Sequence, residues 1–251
     1  MNILAIIPAR AGSKSVPHKN IRMIGGKPML AHSINHAKAS NYINRVIVST
    51  DSEAYADIAR EYGAEVPFIR PEEYATDTAL DYDVFLHALT WLKEQEGYEA
   101  DIVVQLRPTY PIRDVKDIDN MIQLLLDCPN ADSVRSMAKA TEIPYKMWLK
   151  KPCEELSDGS GDGKLLSDKN DVLQGDMIQP LITEISECYN MPRQQLPVVY
   201  YQNACIDVFR SNVVLEKHSM SGDVILGYEM KENFDIDTEE DFERAMKRLE
   251  K

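Results

Sequence analysis

No aspartate or glutamate occurs before Asp51. The same stretch holds seven lysines and arginines, so it carries +7, while the whole chain is −13 and the remainder therefore −20. An acidic surface of that size, with a sequence pI near 4.9, argues against a nucleic-acid partner, which most of the molecule would repel. The acid-free start reads instead as a site for a small anion. No run of about 18 apolar residues is present, so no membrane span is expected. The apolar opening at 3–7 is too short for a secretory signal and no basic region precedes it, so a cytoplasmic protein is expected. Cysteine is scarce and scattered: Cys128, Cys153, Cys188 and Cys205 form no C-x-x-C pair, which favours reduced thiols over a disulfide framework or a zinc site. His32 and His36 stand four apart, but no glutamate follows the first, and they read as helical histidines and not as metal ligands. The Walker A spacing and the G-x-G-x-x-G fingerprint are both absent.

What is there is a globular α/β pattern. The 251 residues are 44% hydrophobic and 27% charged, enough for one large domain with an insertion. Strand signals at 2–8, 45–49, 65–69 and 101–105 alternate with helical stripes at 28–39, 52–62, 79–96 and 115–126. Strands separated by helices of this length predict a doubly wound, mainly parallel sheet. Ligands sit beyond the carboxyl ends of such strands, where the loop at 10–19, the Thr50-Asp51 turn and the turn at 107–113 all fall. Between 138 and 197 the alternation stops around the loop Ser157-Asp158-Gly159-Ser160-Gly161-Asp162-Gly163. This segment reads as an inserted arm, and an arm of mixed polarity predicts a homodimer that covers it. The core is then 1–137 with 198–251, where sheet-like sequence resumes at 198–209 and a helix at 239–249 starts from Thr238 or Asp237 as cap.

Three constellations could carry chemistry. Arg10, Lys14 and Lys19 flank Gly12 and Ser13; the glycine lets backbone approach a phosphate and the cations offset its charge. Asp235 and Asp237 alternate around Ile236, so an extended tripeptide sends both carboxylates to one side, an oxygen pair suited to Mg2+. Arg107 and Arg113 bracket a proline-stiffened turn, and Arg193 sits between Pro192 and Pro197, as befits planar recognition of a carboxylate or phosphate. Arg70-Pro71 and Thr76-Asp77-Thr78 form a further polar loop.

On these residues the chain resembles the CMP-sugar synthetases, and among them the N-acylneuraminate cytidylyltransferases that activate sialic-acid-like sugars. The resemblance runs nearly end to end, through Pro8-Ala9-Arg10-Ala11-Gly12-Ser13-Lys14 with Lys19-Asn20, Ser49-Thr50-Asp51, Arg70-Pro71, Pro108-Thr109 with Pro111 and Arg113, Pro192-Arg193-Gln194-Gln195-Leu196-Pro197, and Asp235-Ile236-Asp237-Thr238. It implies a nucleotide-diphospho-sugar transferase-like Rossmann architecture and a reaction joining CTP to a nonulosonic sugar acid. Arg10, Lys14 and Lys19 would grip the triphosphate, with Ala9, Ala11, Gly12, Ser13 and Asn20 around the nucleotide and Arg70 as a further contact. Asp235 and Asp237 would hold Mg2+. Arg107, Thr109, Arg113, Lys146, Arg193 and Gln194 would face the sugar, and the arm would swap across a dimer. The chain departs from the family's usual pattern at Ser15 (glycine), Arg107 (glutamine), Tyr110 (serine) and Ala204 (glycine). These departures leave the phosphate and metal parts intact and alter the sugar pocket. Alternatives are another acceptor, such as an eight-carbon keto-acid sugar or a sugar phosphate, or a homologue that binds nucleotide without catalysis.

Overall fold

A computed structural model describes residues 1–13, 16–151, 177–231 and 234–249. Lys14, Ser15 and the glycine-rich loop at 157–163 lie outside the described residues. In chain order the strands and helices are β1 (Ile3–Pro8), β2 (Met23–Ile24), β3 (Lys27–Pro28), α1 (Met29–Ala39), β4 (Arg45–Ser49), α2 (Glu53–Glu61), α3 (Asp81–Glu96), β5 (Ile102–Leu106), α4 (Val115–Asp127), β6 (Ser133–Lys139), β7 (Trp148–Lys151), β8 (Met177–Pro180), β9 (Tyr200–Arg210), α5 (Ser211–Leu215), β10 (Ile225–Glu229) and α6 (Glu239–Leu249). The chain divides into two compact units, Met1–Ala138 with Gln202–Lys251, and Lys139–Tyr201.

The first unit is built on a six-stranded sheet of order β10-β6-β9-β5-β1-β4. β1 runs parallel to both β4 and β5, β10 runs parallel to β6, and β9 is antiparallel to β5. β1 is apolar throughout and buried on both faces, as a central parallel strand must be. Its alternate side chains feed different cores. Ile3, Ala5 and Ile7 pack with Leu30 and Ile34 of α1 and Ile118 and Ile122 of α4. Leu4 and Ile6 pack with Phe85, Ala88 and Leu92 of α3 and Phe209 of β9. Helices thus cover both faces, and the expected doubly wound, mainly parallel sheet is what forms.

The strand expected at 65–69 is a correction. Only Glu65 pairs, through one parallel bridge to Ile47, because Pro67 and Pro71 bring no N–H to a ladder. The hairpin β2–β3 turns through Gly25 and Gly26, both at positive φ (54° and 78°), as a two-residue type I′ turn requires.

The segment after α5 is pinned to β6 by one carboxylate. Asp132 pairs with Lys217 at 2.8 Å and accepts the N–H groups of Asp223 (2.7 Å) and Val224 (3.1 Å). Gly222, at φ 71°, passes so close that a Cβ there would lie 2.4 Å from the Asp132 Cβ. The hydrogen bond from Lys217, then that from Val224, hold the Asp132 carboxyl down at about 2. A carboxyl lowered on folding contributes stability above its ordinary range and loses it as pH falls through the folded value. Asp132→Asn is therefore expected to lower Tm near neutral pH, with the gap to wild type closing as pH approaches about 2. Thermal melts over a pH series check this, and a gap that does not narrow contradicts it.

The second unit carries the antiparallel pair β7–β8 and a small core of Ile143, Cys188 and Leu196, with Tyr145, Ile182 and Tyr189 packed around it. It leaves Trp148, Leu149, Ile178, Leu181, Val198, Tyr200 and Tyr201 exposed.

Candidate active site

A cavity of about 620 Å³ opens in the first unit, lined by Pro8 at the end of β1 and by Arg107 and Pro108 just after β5. It lies at the carboxyl ends of the strands, where a doubly wound sheet places ligands, and its size is that of a substrate site.

The loop after β1 is held by its neighbours. Ala9 N–H donates to Ser49 O (2.9 Å) and Ala11 N–H to the Asp51 carboxylate (2.8 Å). Asn20 donates from its amide to Arg10 O at 3.0 Å. Arg10, Ser13, Lys19 and Asn20 line the cavity. A Cβ added at Gly12 would meet no atom within 4 Å, so packing does not demand glycine there.

Asp235 and Asp237 line the same cavity. Between them Ile236 is fully buried with Ile24, Met29, Phe242 and Ala245, and its N–H donates to Thr109 O at 3.0 Å. The alternation read from the sequence is thus realised. Thr238 Oγ1 accepts the Asp241 N–H (3.2 Å) while the Asp241 carboxylate accepts from Thr238 N (3.1 Å), a reciprocal cap that starts α6.

One side chain joins the two ends of the sequence. Lys19, only 8% exposed, donates from Nζ to Ile236 O at 2.8 Å and to Asp237 Oδ1 at 3.3 Å. Burial pushes the Asp235 carboxyl up; a hydrogen bond from Thr109 works against this and the charge on Asp237 adds to it. Asp235 Oδ1 is buried with no hydrogen-bond partner.

The other predicted residues divide. Arg70 lines the cavity but is 4% exposed. Its guanidinium donates to Ser49 Oγ (3.0 Å), Ser49 O and Tyr74 O (3.3 Å), and burial pushes its pKa down to about 10. Arg107 and Thr109 line the cavity, with Arg107 paired to Asp81. Arg113 does not line it: buried beneath the turn, it donates to Cys205 O (2.9 Å), Arg107 O (2.9 Å) and Ser33 Oγ (3.2 Å). Its place is a correction to the expected sugar contact, since the fixed fork serves the main chain. Burial, then the charge of Arg113, lower His36 to about 3, and His32 Nε2 bonds to Ile24 O at 2.9 Å. Lys146, Arg193 and Gln194 belong to the second unit. There Arg193 and Gln194 line a cavity of about 270 Å³, Arg193 donates to Thr141 O at 2.7 Å, and Lys146 donates to Tyr189 O at 3.2 Å.

Sequence reading named Asp77 within a polar loop and missed Asp81 and Tyr74 as lining residues. Asp77 pairs with Arg10 at 2.8 Å. Ala204, also in the lining, sits at φ 56°, a left-handed backbone that glycine adopts without strain. The departure at this position was the available signal. Ala204→Gly is expected to stabilise the fold by about 1 kcal/mol, read as a higher denaturant midpoint; a lower midpoint would contradict the strain.

Four cations (Arg10, Lys19, Arg70, Arg107) and four carboxylates (Asp77, Asp81, Asp235, Asp237) make up the ionisable lining among the described residues. Among these described residues the formal charges balance; Lys14 lies outside them.

A family model described as cytidylyltransferase matches residues 4–247. The CMP-N,N'-diacetyllegionaminic acid synthase of Legionella pneumophila subsp. pneumophila is 30% identical over 254 residues, covering 100% of this chain and 97% of that protein. The N-acylneuraminate cytidylyltransferase of Escherichia coli O18:K1:H7 is 39% identical over 140 residues, 56% of this chain and 32% of that one. A solved CMP:2-keto-3-deoxy-manno-octonic acid synthetase complexed with CTP superposes with a TM-score of 0.68 at 16% identity, covering 100% of this chain and 99% of that one; at that identity the likeness is one of fold.

Proposed function

The chain belongs to the cytidylyltransferase family, and from that premise we propose that it couples CTP to a nonulosonic sugar acid, giving the CMP-sugar and pyrophosphate. The observation that carries the reading is Lys19 Nζ bridging the early cationic loop to the Ile236-Asp237 segment inside one cavity. The relative named for legionaminic acid, similar over the whole chain, supports the acceptor class.

Asp235 and Asp237 fit Mg2+. Asp235 presents a buried oxygen without a partner, Asp237 an exposed one beside it, and both are the hard donors this cation takes. Among the described residues no group of three or more acidic, histidine or cysteine side chains could hold a metal, so phosphate oxygens and water would complete the shell. The chemistry such an ion supplies is neutralisation of charge on phosphate oxygens.

In the proposed reaction the anomeric hydroxyl attacks the α-phosphorus in line. The new O–P bond forms, the bond to the β-phosphate bridging oxygen breaks, pyrophosphate leaves with that electron pair, and the hydroxyl proton passes to solvent. Arg10, Lys14 and Lys19 neutralise the departing group. Arg70 and Asn20 keep the nucleotide wall rigid through their bonds to Ser49 and Arg10. No side chain is required as a covalent nucleophile.

Pyrophosphate release tests this. CTP with a nine-carbon 2-keto sugar acid should give Mg2+-dependent release, lost on chelation and restored by Mg2+. Release with no nine-carbon acid, or with a sugar phosphate or eight-carbon acid alone, overturns the reading.

The proposal extends to a homodimer through the second unit, supported by its exposed Trp148, Leu149, Ile178 and Leu181, more apolar surface than a solvated arm needs. Sedimentation should give twice the mass of the 28.5 kDa chain; a monomer at micromolar concentration contradicts it. The proposal extends to a reducing, cytoplasmic setting, supported by the free thiols of Cys128, Cys188 and Cys205.

A further inference from the structure

We propose that Asp81 is a positioning residue for acceptor specificity: it aims Arg107 so that this guanidinium reads the carboxylate of the sugar acid. The inference rests on the reaction proposed above. Each of the other lining cations has a different task. Lys19 is held by the acidic loop, Arg70 is sealed against Ser49 and Tyr74, and Arg10 belongs to the phosphate loop. Among the described lining cations Arg107 alone lies on the β5 side, two residues before Thr109.

Its donors are unequally used. Nη2 is on Asp81, and Nε is buried with no partner. Nη1 makes no hydrogen bond among the described residues and belongs to a side chain that is 34% exposed. The Asp81 contact is therefore what fixes the plane of the fork, and a planar fork is what meets a carboxylate edge-on. Asp81 is itself held. Its Oδ2 accepts from Gln105 Nε2 at 3.2 Å, and as the first residue of α3 it gains from the helix N-terminus. Gln105 is 1% exposed and faces Asp207 across the β5–β9 register. Asp207 pairs with Arg135 at 3.2 Å, so a buried charged layer backs the pair. Half-buried and oriented, Arg107 can take a monoanion at much less cost in freedom than a surface arginine would.

The test is steady-state pyrophosphate release with CTP and the acid varied separately, together with calorimetric CTP binding in the absence of acid. Asp81→Asn is expected to raise KM for the acid about tenfold and Arg107→Ala by up to about a hundredfold, with the CTP dissociation constant within about twofold of wild type. Arg107→Lys should not rescue, lacking the fork. The double variant should be no worse than Arg107→Ala, since Asp81 acts through Arg107. Additive losses, a change that falls on CTP, or unmoved kinetics in an active enzyme would each overturn the role of the pair alone. Wild-type protein that binds CTP but uses no nonulosonic acid would overturn the reaction, and this role with it.

Discussion

Asp235→Asn is expected to cut Mg2+-dependent turnover by about a thousandfold or more while raising the Tm of the metal-free protein. The first effect follows from the proposed role of Asp235 as a charged Mg2+ ligand, an interaction of several kcal/mol in a metal-assisted phosphoryl transfer, about 4 kcal/mol for each thousandfold in rate. The second follows from where that charge sits. The Asp235 carboxyl is pushed up by burial and by Asp237, so its ionisation costs the folded state. That cost is absent below the ordinary carboxylate range and present in full above the raised value. At neutral pH the amide removes it and keeps the shape. Asp237→Ala should lose turnover similarly without the gain in Tm, since Asp237 is largely exposed (70%) and the main bond of Lys19 there is to Ile236 O. Melting curves with and without Mg2+, beside rates, decide the matter. Inactivity with a lower Tm in Asp235→Asn would assign the residue a structural task, and near-normal turnover would remove the metal.

Much of this was legible in the chain because local periodicity and distant structure agree. β1 is apolar at every position from Ile3 to Ile7, and a strand buried on both faces can only be central. Asp235-Ile236-Asp237 alternates because Ile236 has a core to enter. The failures have physical causes of a different kind. β6 was not legible since Ser133 and Ser136 look solvent-facing until Asn203 is known to accept from Ser136 Oγ at 2.6 Å. β10 alternates, but around Gly227 and with Ile225 half-exposed at the sheet edge. Arg113 looked like a ligand contact because sequence does not reveal which carbonyls an arginine will find. Asp81 was invisible as a lining residue for the converse reason: a carboxylate at a helix start has an adequate local explanation. Spacing shows which residues share a face, and only coordinates show what waits across the gap.

Lys19→Met should be the other severe substitution, with effects in two separable assays. The methionine keeps the aliphatic stem among its buried neighbours and deletes only the ammonium. That ammonium ties the early cationic loop to the Ile236-Asp237 segment it bonds. Loss of a preorganised donor at a group developing charge typically costs about a hundredfold to a thousandfold in turnover, and KM for CTP should rise with it. Loss of a buried hydrogen bond from a charged donor should also lower stability by about 1.5–3 kcal/mol, because Ile236 O would be left without its short contact. Lys19→Arg should not restore activity, since the larger planar guanidinium does not fit the buried place where a compact ammonium meets both acceptors. CTP binding measured in chelator isolates the phosphate contact, and denaturant melts isolate the tie to the acidic loop. Unchanged CTP binding would remove Lys19 from the nucleotide, and an unchanged midpoint would show that the loops meet without it.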